Sequence, residues 1–414
     1  MKEDSTSAAV LLPIMAAILG VYVVMGMAMP VLPLYVHGGL GFGPFVVGLV
    51  SGSQFAAAMF SRLWAGQQAD TKGAKRALLT GVLVAAGSGL VYVLSFYFAT
   101  QPKASVGILL LGRAVLGLGE SFVITGALSL GLTLLGPHNT GKVMSWIGTA
   151  LYMGFAIGAP VGTTIYGGYG FQAVAFATLL IPLVGLPLLS LVRRAPLPQR
   201  RRTAGVTKVA GAVWMPGVGV ALAGVGFGAI STFIVLLYAA RGWTPAWLPF
   251  TALSIAFMGG RAVFGHLPDK LGGAQVACGC IVIEAVGQAF IWRAHTSPVA
   301  LLGVVLTGLG YSLVYPGFGV EAIRRAPAQS RGLAMGSYTA FLDLSLGVTG
   351  PALGLVAGWA GLSAVFLAST AVVLCAAAVA VRLMFVPVPP LEVAGAGSIQ
   401  SSPHAADVDA METF

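Results

Sequence analysis

Long apolar runs recur along the chain, separated by short polar interruptions. A helix needs about twenty mostly apolar residues to cross the hydrocarbon core of a bilayer. Runs of that length lie near residues 9–35, 45–67, 76–99, 105–127, 139–166 and 170–192. After a break they return near 210–239, 246–267, 275–293, 298–320, 332–357 and 361–385. The pattern predicts an all-α membrane protein of twelve transmembrane helices. A membrane β-barrel would instead show short segments of alternating polarity, which are absent from the sequence.

Composition supports this reading. Of 414 residues, 57% are hydrophobic and only 8% charged, where soluble domains carry about a quarter. So few charges cannot cover a water-facing surface, so lipid must solvate most of the chain. The formal net charge of +10 does not point to nucleic acid, because the cations cluster in short loops on one side. Lys72, Lys75, Arg76, Lys142, Lys270, Arg324, Arg325 and Arg331 follow even-numbered spans, against Lys103, Arg241 and Arg293 in the opposite loops. The positive-inside rule then places both termini in the cytoplasm. The basic, proline-containing stretch after span 6 reads as a linker at 193–209 between bundles at 1–192 and 210–385. The polar tail at 386–414 is expected to be disordered. Cys278, Cys280 and Cys375 all sit in apolar runs without the histidines or further cysteines that a metal site needs. Neither a metal nor a cofactor is implied.

The two halves repeat each other. Arg62-x3-Gly66-x3-Asp70-x2-Gly73 after span 2 returns after span 8 as Arg261-x3-Gly265-x3-Asp269-x2-Gly272, 199 positions later. Gly117, Gly119, Ser121, Val123 and Gly126 return as Gly308, Gly310, Ser312, Val314 and Gly317, 191 positions later. Pro160 returns as Pro351 and Gly170 as Gly361 at that same offset. Two pseudo-symmetric six-helix bundles follow, with a binding site expected between them near mid-membrane. Small residues recur at every fourth position in Gly48/Gly52/Ala56, Gly154/Gly158/Gly162, Ala252/Ala256/Gly260 and Gly350/Gly354/Gly358. Such stripes let helices approach closely, and their equivalent places in the repeat point to interfaces that move.

The loop Gly66-Gln-Gln-Ala-Asp70-Thr-Lys-Gly73-Ala-Lys75-Arg76 resembles the signature between spans 2 and 3 of the major facilitator superfamily. Arg113-x3-Gly117-x-Gly119 is similar to the span 4 motif of its drug:proton antiporters, and Gly154-x3-Gly158-Ala-Pro160-x-Gly162 to their span 5 antiporter motif. The segments PGFGVEAIRR and AFLDLSLGVTGP resemble the bacterial arabinose-efflux-like branch. The chain departs from these patterns at Thr71, at Gly-Ala-Pro in span 5 and at Glu120 in span 4. The resemblance implies the major facilitator fold, a bacterial inner-membrane location, monomeric action and alternating access. It also implies that the two loop signatures act as a conformational latch. Physically, Asp70 can pair with nearby arginines or cap a facing helix, and Gly66 admits a close neighbour.

An ionisable group inside a membrane costs about 2.5–3.5 kcal/mol on insertion scales, so each one calls for a reason. Arg113 and Glu120 stand seven apart on span 4, two turns along one face. Asp343 lies mid-span 11 and Glu284 mid-span 9. A carboxyl in such surroundings can bind and release a proton near neutrality. Glu120 is therefore the leading proton or substrate carboxylate, with Arg113 modulating it and Asp343 as second candidate. Glu284, on a span peripheral in the family, reads better as a static partner. Glu321, Arg324 and Arg325 form a candidate ion cluster on the gate side of span 10. Tyr35, Met25, Gln54, Tyr311, Tyr315 and Phe341 are candidate cavity-lining residues, any of which ordinary packing explains equally well.

Proton-driven export of a small amphiphilic molecule is the reading these features favour, with protons, a small-molecule substrate and membrane lipid as partners. Proton-coupled uptake or facilitated passage of a sugar, amino acid or organic anion is the alternative. No G-x4-GK[ST] phosphate loop supports an ATP-driven pump. No nucleophile–base constellation supports an enzyme.

Overall fold

In the computed structural model, residues 2–136, 139–192, 206–326 and 330–386 are described. The helices in chain order are α1 (Lys2–Leu34), α2 (Pro44–Lys72), α3 (Ala74–Tyr97), α4 (Pro102–Leu135), α5 (Thr140–Val184) and α6 (Leu186–Leu191). They continue with α7 (Val206–Arg241), α8 (Leu248–Phe264), α9 (Leu267–Leu271), α10 (Gly273–Arg293), α11 (Ser297–Arg325), α12 (Arg331–Ala360) and α13 (Leu362–Phe385). Among the described residues there is no strand. Ten segments are long and apolar enough to cross a membrane, and the shorter apolar helix α8 supplies another crossing. One of the ten, Lys142–Leu191, has 50 residues and is broken at Gly170. Its two arms, at 142–169 and 171–191 with α6 completing the second, make two crossings, which brings the total among the described residues to the expected twelve. Residues 206–209, expected in the linker, are already helical in α7. The rest of that linker and the tail from 387 onward lie outside the described residues.

The sequence repeat is also a backbone repeat. Gly73 and Gly272, equivalent in the two loop signatures, have φ of 95° and 99°. Gly170 and Gly361, equivalent in the later part, have φ of 74° and 86°. Positive φ is readily available only to a residue without Cβ, so these glycines reproduce the same sharp turns in both halves. Close approaches repeat as well. Gly117 of α4 faces the Gln54 carbonyl of α2, and Gly308 of α11 faces the Leu253 carbonyl of α8. Gln54 and Leu253 are themselves 199 positions apart.

The first bundle packs α1 on α5, α3 on α4 and α2 on α4; the second packs α10 on α11 and α13, α8 on α11, and α7 on α12 and α13. Two long seams join them, α2 against α12 and α5 against α8, with α1 touching α7 between. Outward-facing side chains such as Phe60, Leu63, Trp64 and Trp359 are large, apolar and exposed. A belt of that kind needs lipid around it.

The small-residue stripes divide between two uses. Those of α2 and α12 meet each other: Gly48 lies against Gly350, Gly52 against Gly347, and Gly354 against Pro44 and Phe45. The α5 stripe does not reach the second bundle. Gly154, Gly158 and Gly162 lie against Tyr22, Val23, Gly26 and Met27 of α1, while Gly260 of α8 faces Ser312 of its own bundle. A Cβ holds neighbouring backbones apart, and α8 offers alanines where α12 offers glycines. Gly358 has nothing within 4 Å of an added Cβ. Gly350→Val should therefore lower thermal stability in detergent, with an overpacking cost of about 1–3 kcal/mol. Gly358→Val should leave the unfolding midpoint within about a degree of the parent.

Candidate functional site

Where the seams pass mid-membrane, the first bundle presents polar groups. Glu120, on α4, is 9% exposed. Gln54 of α2 donates its Nε2 to Glu120 Oε2 at 2.7 Å. The Tyr22 hydroxyl of α1 donates to Glu120 Oε1 at 3.3 Å. Three helices of one bundle thus converge on a single carboxyl. The Gln54 amide leaves its own Oε1 without a partner.

Arg113 does not join this carboxyl. Its Nε donates to the Val50 carbonyl of α2 at 3.3 Å, and no ion pair links it to Glu120 among the described residues. The reason is helical geometry. Seven residues put two side chains on one face but separate them by about 10 Å along the axis, and Gln54 takes the place beside Glu120. Arg113 and Gln54 instead line one small cavity with Met25, Ser51 and Ser231.

The arginine near Glu120 is Arg62, from the loop signature of α2. Its guanidinium makes a two-point contact with the Asp343 carboxylate of α12, Nε to Oδ2 and Nη2 to Oδ1, the second at 2.8 Å. Asp343 is 4% exposed, and both members lie within electrostatic reach of Glu120. This fork-to-fork pair crosses from one bundle to the other. Asp343 is thus the ion-pair partner of Arg62 rather than an isolated second acid.

Other residues of the loop signatures remain apart. Asp70, Arg76 and Asp269 are exposed and make no ion pair among the described residues. Lys75 donates to the Ser190 carbonyl at 3.1 Å and to that of Val192, fastening α3 to the end of α6. Gly66 has open space around it, and Gly265 closes on the Arg261 carbonyl of its own helix. Glu321 pairs with Arg324 at 3.1 Å and Arg325 at 3.5 Å. Arg325 also donates to the Leu383 and Val386 carbonyls, so this cluster ties α11 to α13 inside one bundle. Glu284 is fully buried, and neither carboxyl oxygen has a hydrogen-bond partner. It stands against Gly226 and Gly310, so the static-partner reading finds no hydrogen bond to support it.

Aromatic rings from both bundles stand beside the polar cluster. Tyr311 occupies the repeat position of Glu120 and stacks on Phe227 at 5.7 Å. Tyr152 of α5 stacks on Phe257 of α8 at 3.6 Å, and Phe155 bridges Tyr22, Tyr152 and Phe227. The Tyr315 hydroxyl meets Thr339 Oγ1 at 2.7 Å. Gln54, Tyr311 and Tyr315 were candidates from sequence. Tyr22, Tyr152 and Phe257 were not, although Tyr152 stands 191 positions before Asp343, a relation the repeat could have revealed.

Comparison with known proteins agrees with this architecture. A profile described as Major Facilitator Superfamily matches residues 14–276 and 217–402. The uncharacterized MFS-type transporter STM4428 of Salmonella typhimurium is 38% identical, over 92% of this chain and 97% of its own. The uncharacterized MFS-type transporter YhhS of Escherichia coli K12 is 40% identical, over 87% of this chain and 89% of its own. Two solved structures share the fold at 15% identity, each covering 90% of this chain and 99% of its own. They are the human organic anion transporter MFSD10, with a TM-score of 0.66, and the nucleoside transporter NupG, with 0.67.

Removing one member of the cross-bundle pair leaves the other charge buried. Asp343→Asn should lower stability by up to about 3 kcal/mol, the low end for a broken buried pair because Arg62 keeps some exposure. The double variant Arg62→Met/Asp343→Leu should recover most of that loss when chemical unfolding of the purified protein is measured.

Proposed function

Since the chain belongs to the major facilitator superfamily, we propose that it is a secondary transporter working by alternating access and coupled to protons through Glu120. The carboxyl of Glu120, buried at the meeting of α1, α2 and α4 and within reach of a movable cross-bundle arginine, carries this reading. Gln54 and Tyr22 hold it in place whether or not it bears a proton. When Arg62 leaves Asp343 as the bundles rock, Glu120 is the nearest carboxylate able to receive the guanidinium, and its proton departs. When Arg62 returns to Asp343, Glu120 takes up a proton again. The arginine thus plays the part that sequence reasoning gave to Arg113. Arg62, Asp343 and the loop signatures form the latch that this exchange opens and closes.

We take export in exchange for protons as the direction, on the likeness of the α5 glycine–proline segment to antiporters. Its glycines fix α5 to α1, making the two helices one rigid rocking unit. The working arrangement is a monomer in the bacterial inner membrane with both termini cytoplasmic. One observation favours the opposite direction. The central region holds the cations Arg62, Arg113 and Arg261 against the acids Glu120 and Asp343, and a proton on Glu120 would favour co-binding of an anion, which is the physics of symport.

Purified protein in proteoliposomes with an internal pH dye tests the proposal, using an imposed pH gradient and a panel of cationic, neutral and anionic solutes. Solute addition should move protons in the parent, the sign of the flux giving the direction. Glu120→Gln should reduce that flux at least about tenfold with unchanged insertion, within the range ascribed to a positioned acid–base group. Solute-dependent proton flux of parental size in Glu120→Gln would rule the coupling role out.

A further inference from the structure

The two seams are repeat copies of each other, but only one is electrostatically complete. Arg62 and Arg261 occupy the same place in the two loop signatures, each on the helix that lies along the other bundle. Arg62 meets Asp343 on α12. The position matching Asp343 on α5 is Tyr152, 191 residues earlier, so the second seam carries a phenol where the first carries a carboxylate. A second position has changed in the same sense. Thr339, which bonds Tyr315 beside the first arginine, corresponds to Gly148 on α5, which has no side chain.

The Arg261 guanidinium lies over that glycine, with Nη1 3.5 Å from where a Cβ would stand. It is partly buried and within electrostatic reach of Tyr152 and Tyr315. Among the described residues it makes no hydrogen bond and no ion pair. A guanidinium has five donors in a fixed fork, and one turned toward the space between two bundles calls for an acceptor. Nearby, the stacked Tyr152–Phe257 pair, with Tyr311 at 6.0 Å from Phe257, offers flat apolar faces. The central cations outnumber the central acids, and in a low-dielectric cleft that imbalance favours an incoming negative charge.

We propose that Arg261 anchors the acidic group of the substrate, a monoanion with a planar apolar body, typically an aryl carboxylate. The carboxylate takes the place that Asp343 fills in the other seam, beside the guanidinium that lies over Gly148, with the Tyr152 hydroxyl available as a further donor. The ring lies against Tyr152 and Phe257. This assignment names the substrate class for the transport reading and rests on it, but it is tested by binding and does not need proton coupling.

Three probes of nearly one shape separate charge from shape: benzoate, benzamide and benzylamine. Each is added in the millimolar range to purified protein, and the thermal unfolding midpoint is read at constant pH and ionic strength. Benzoate should raise the midpoint by several degrees, and the neutral and cationic probes by less than one. Arg261→Gln should abolish the benzoate shift, and Arg261→Lys should keep part of it, since a lysine retains the charge without the fork. Glu120→Gln should keep the shift, so loss of proton coupling and loss of the anion site register separately. Arg261→Lys also serves if Arg261→Gln fails to fold. The proposal is overturned by no benzoate shift in the parent, by equal shifts with benzamide or benzylamine, or by an undiminished shift in Arg261→Gln.

Discussion

A charge inside a bilayer needs a counter-charge or polar partners inside the protein, and Arg62 and Asp343 meet that need through each other. Arg62 and Asp343 belong to different bundles, so their pairing spans the division between the two halves. It lies within a seam that is otherwise backbone against backbone, Gly48 on Gly350 and Gly52 on Gly347. Dispersion at such close approach is strong but tolerant of sliding. A forked ion pair does not tolerate sliding, because it is satisfied at one register and costly when half made. In the proposed mechanism the glycines let the bundles move, and the pair defines where they stop. Glu120 sits close enough to sense that register, which is why the carboxyl and the pair form one site.

The halves have diverged in chemistry while keeping one backbone. Where the first bundle places Glu120 and Gln54, the second places Tyr311 and Leu253 at the corresponding positions. The Glu120 position is therefore polar and hydrogen-bonded in the first bundle, and its counterpart Tyr311 in the second is aromatic. Substrates with both a charged end and a flat apolar end suit such a centre, where Arg261 and the Tyr152–Phe257 rings stand at one seam. Rocking of the bundles would then alter both contacts together, giving the ligand leverage over the conformational equilibrium.

Most of the fold was legible in the sequence, because lipid imposes a length on every span and the duplication imposes a second, independent ruler. Apolar runs marked the spans, and the offsets of 191 and 199 paired the halves. The Gly170 break, which separates spans 5 and 6, was visible as the partner of Gly361. The site was legible only in part. Hydropathy picked out Glu120, Arg113 and Asp343 as charges needing a reason, and all three are buried. It could not tell which charge would meet which. A shared helix face suggested Arg113 with Glu120, but the axial rise keeps them apart, and the partner of Asp343 comes from a segment 281 residues away. The α5 stripe misled for a similar reason. Small residues announce a close neighbour without naming it, and here it is α1 rather than α8. Tyr22 carried no signal at all, because one tyrosine in an apolar span looks like any other.

The claim on which the account rests is that the Arg62–Asp343 pair sets how far the bundles stand apart at the end carrying the loop signatures. Thr71 and Lys270 are exposed and lie 199 positions apart, at equivalent places in those signatures. Spin labels on Thr71→Cys and Lys270→Cys, with Cys278, Cys280 and Cys375 replaced by serine, allow the separation to be measured by pulsed electron resonance. With the pair intact, the account predicts a dominant shorter distance. Asp343→Asn in the same background should transfer population to a distance longer by several ångströms. Identical distance distributions with and without the carboxylate would contradict it, leaving the pair as a local contact with no hold on the bundles.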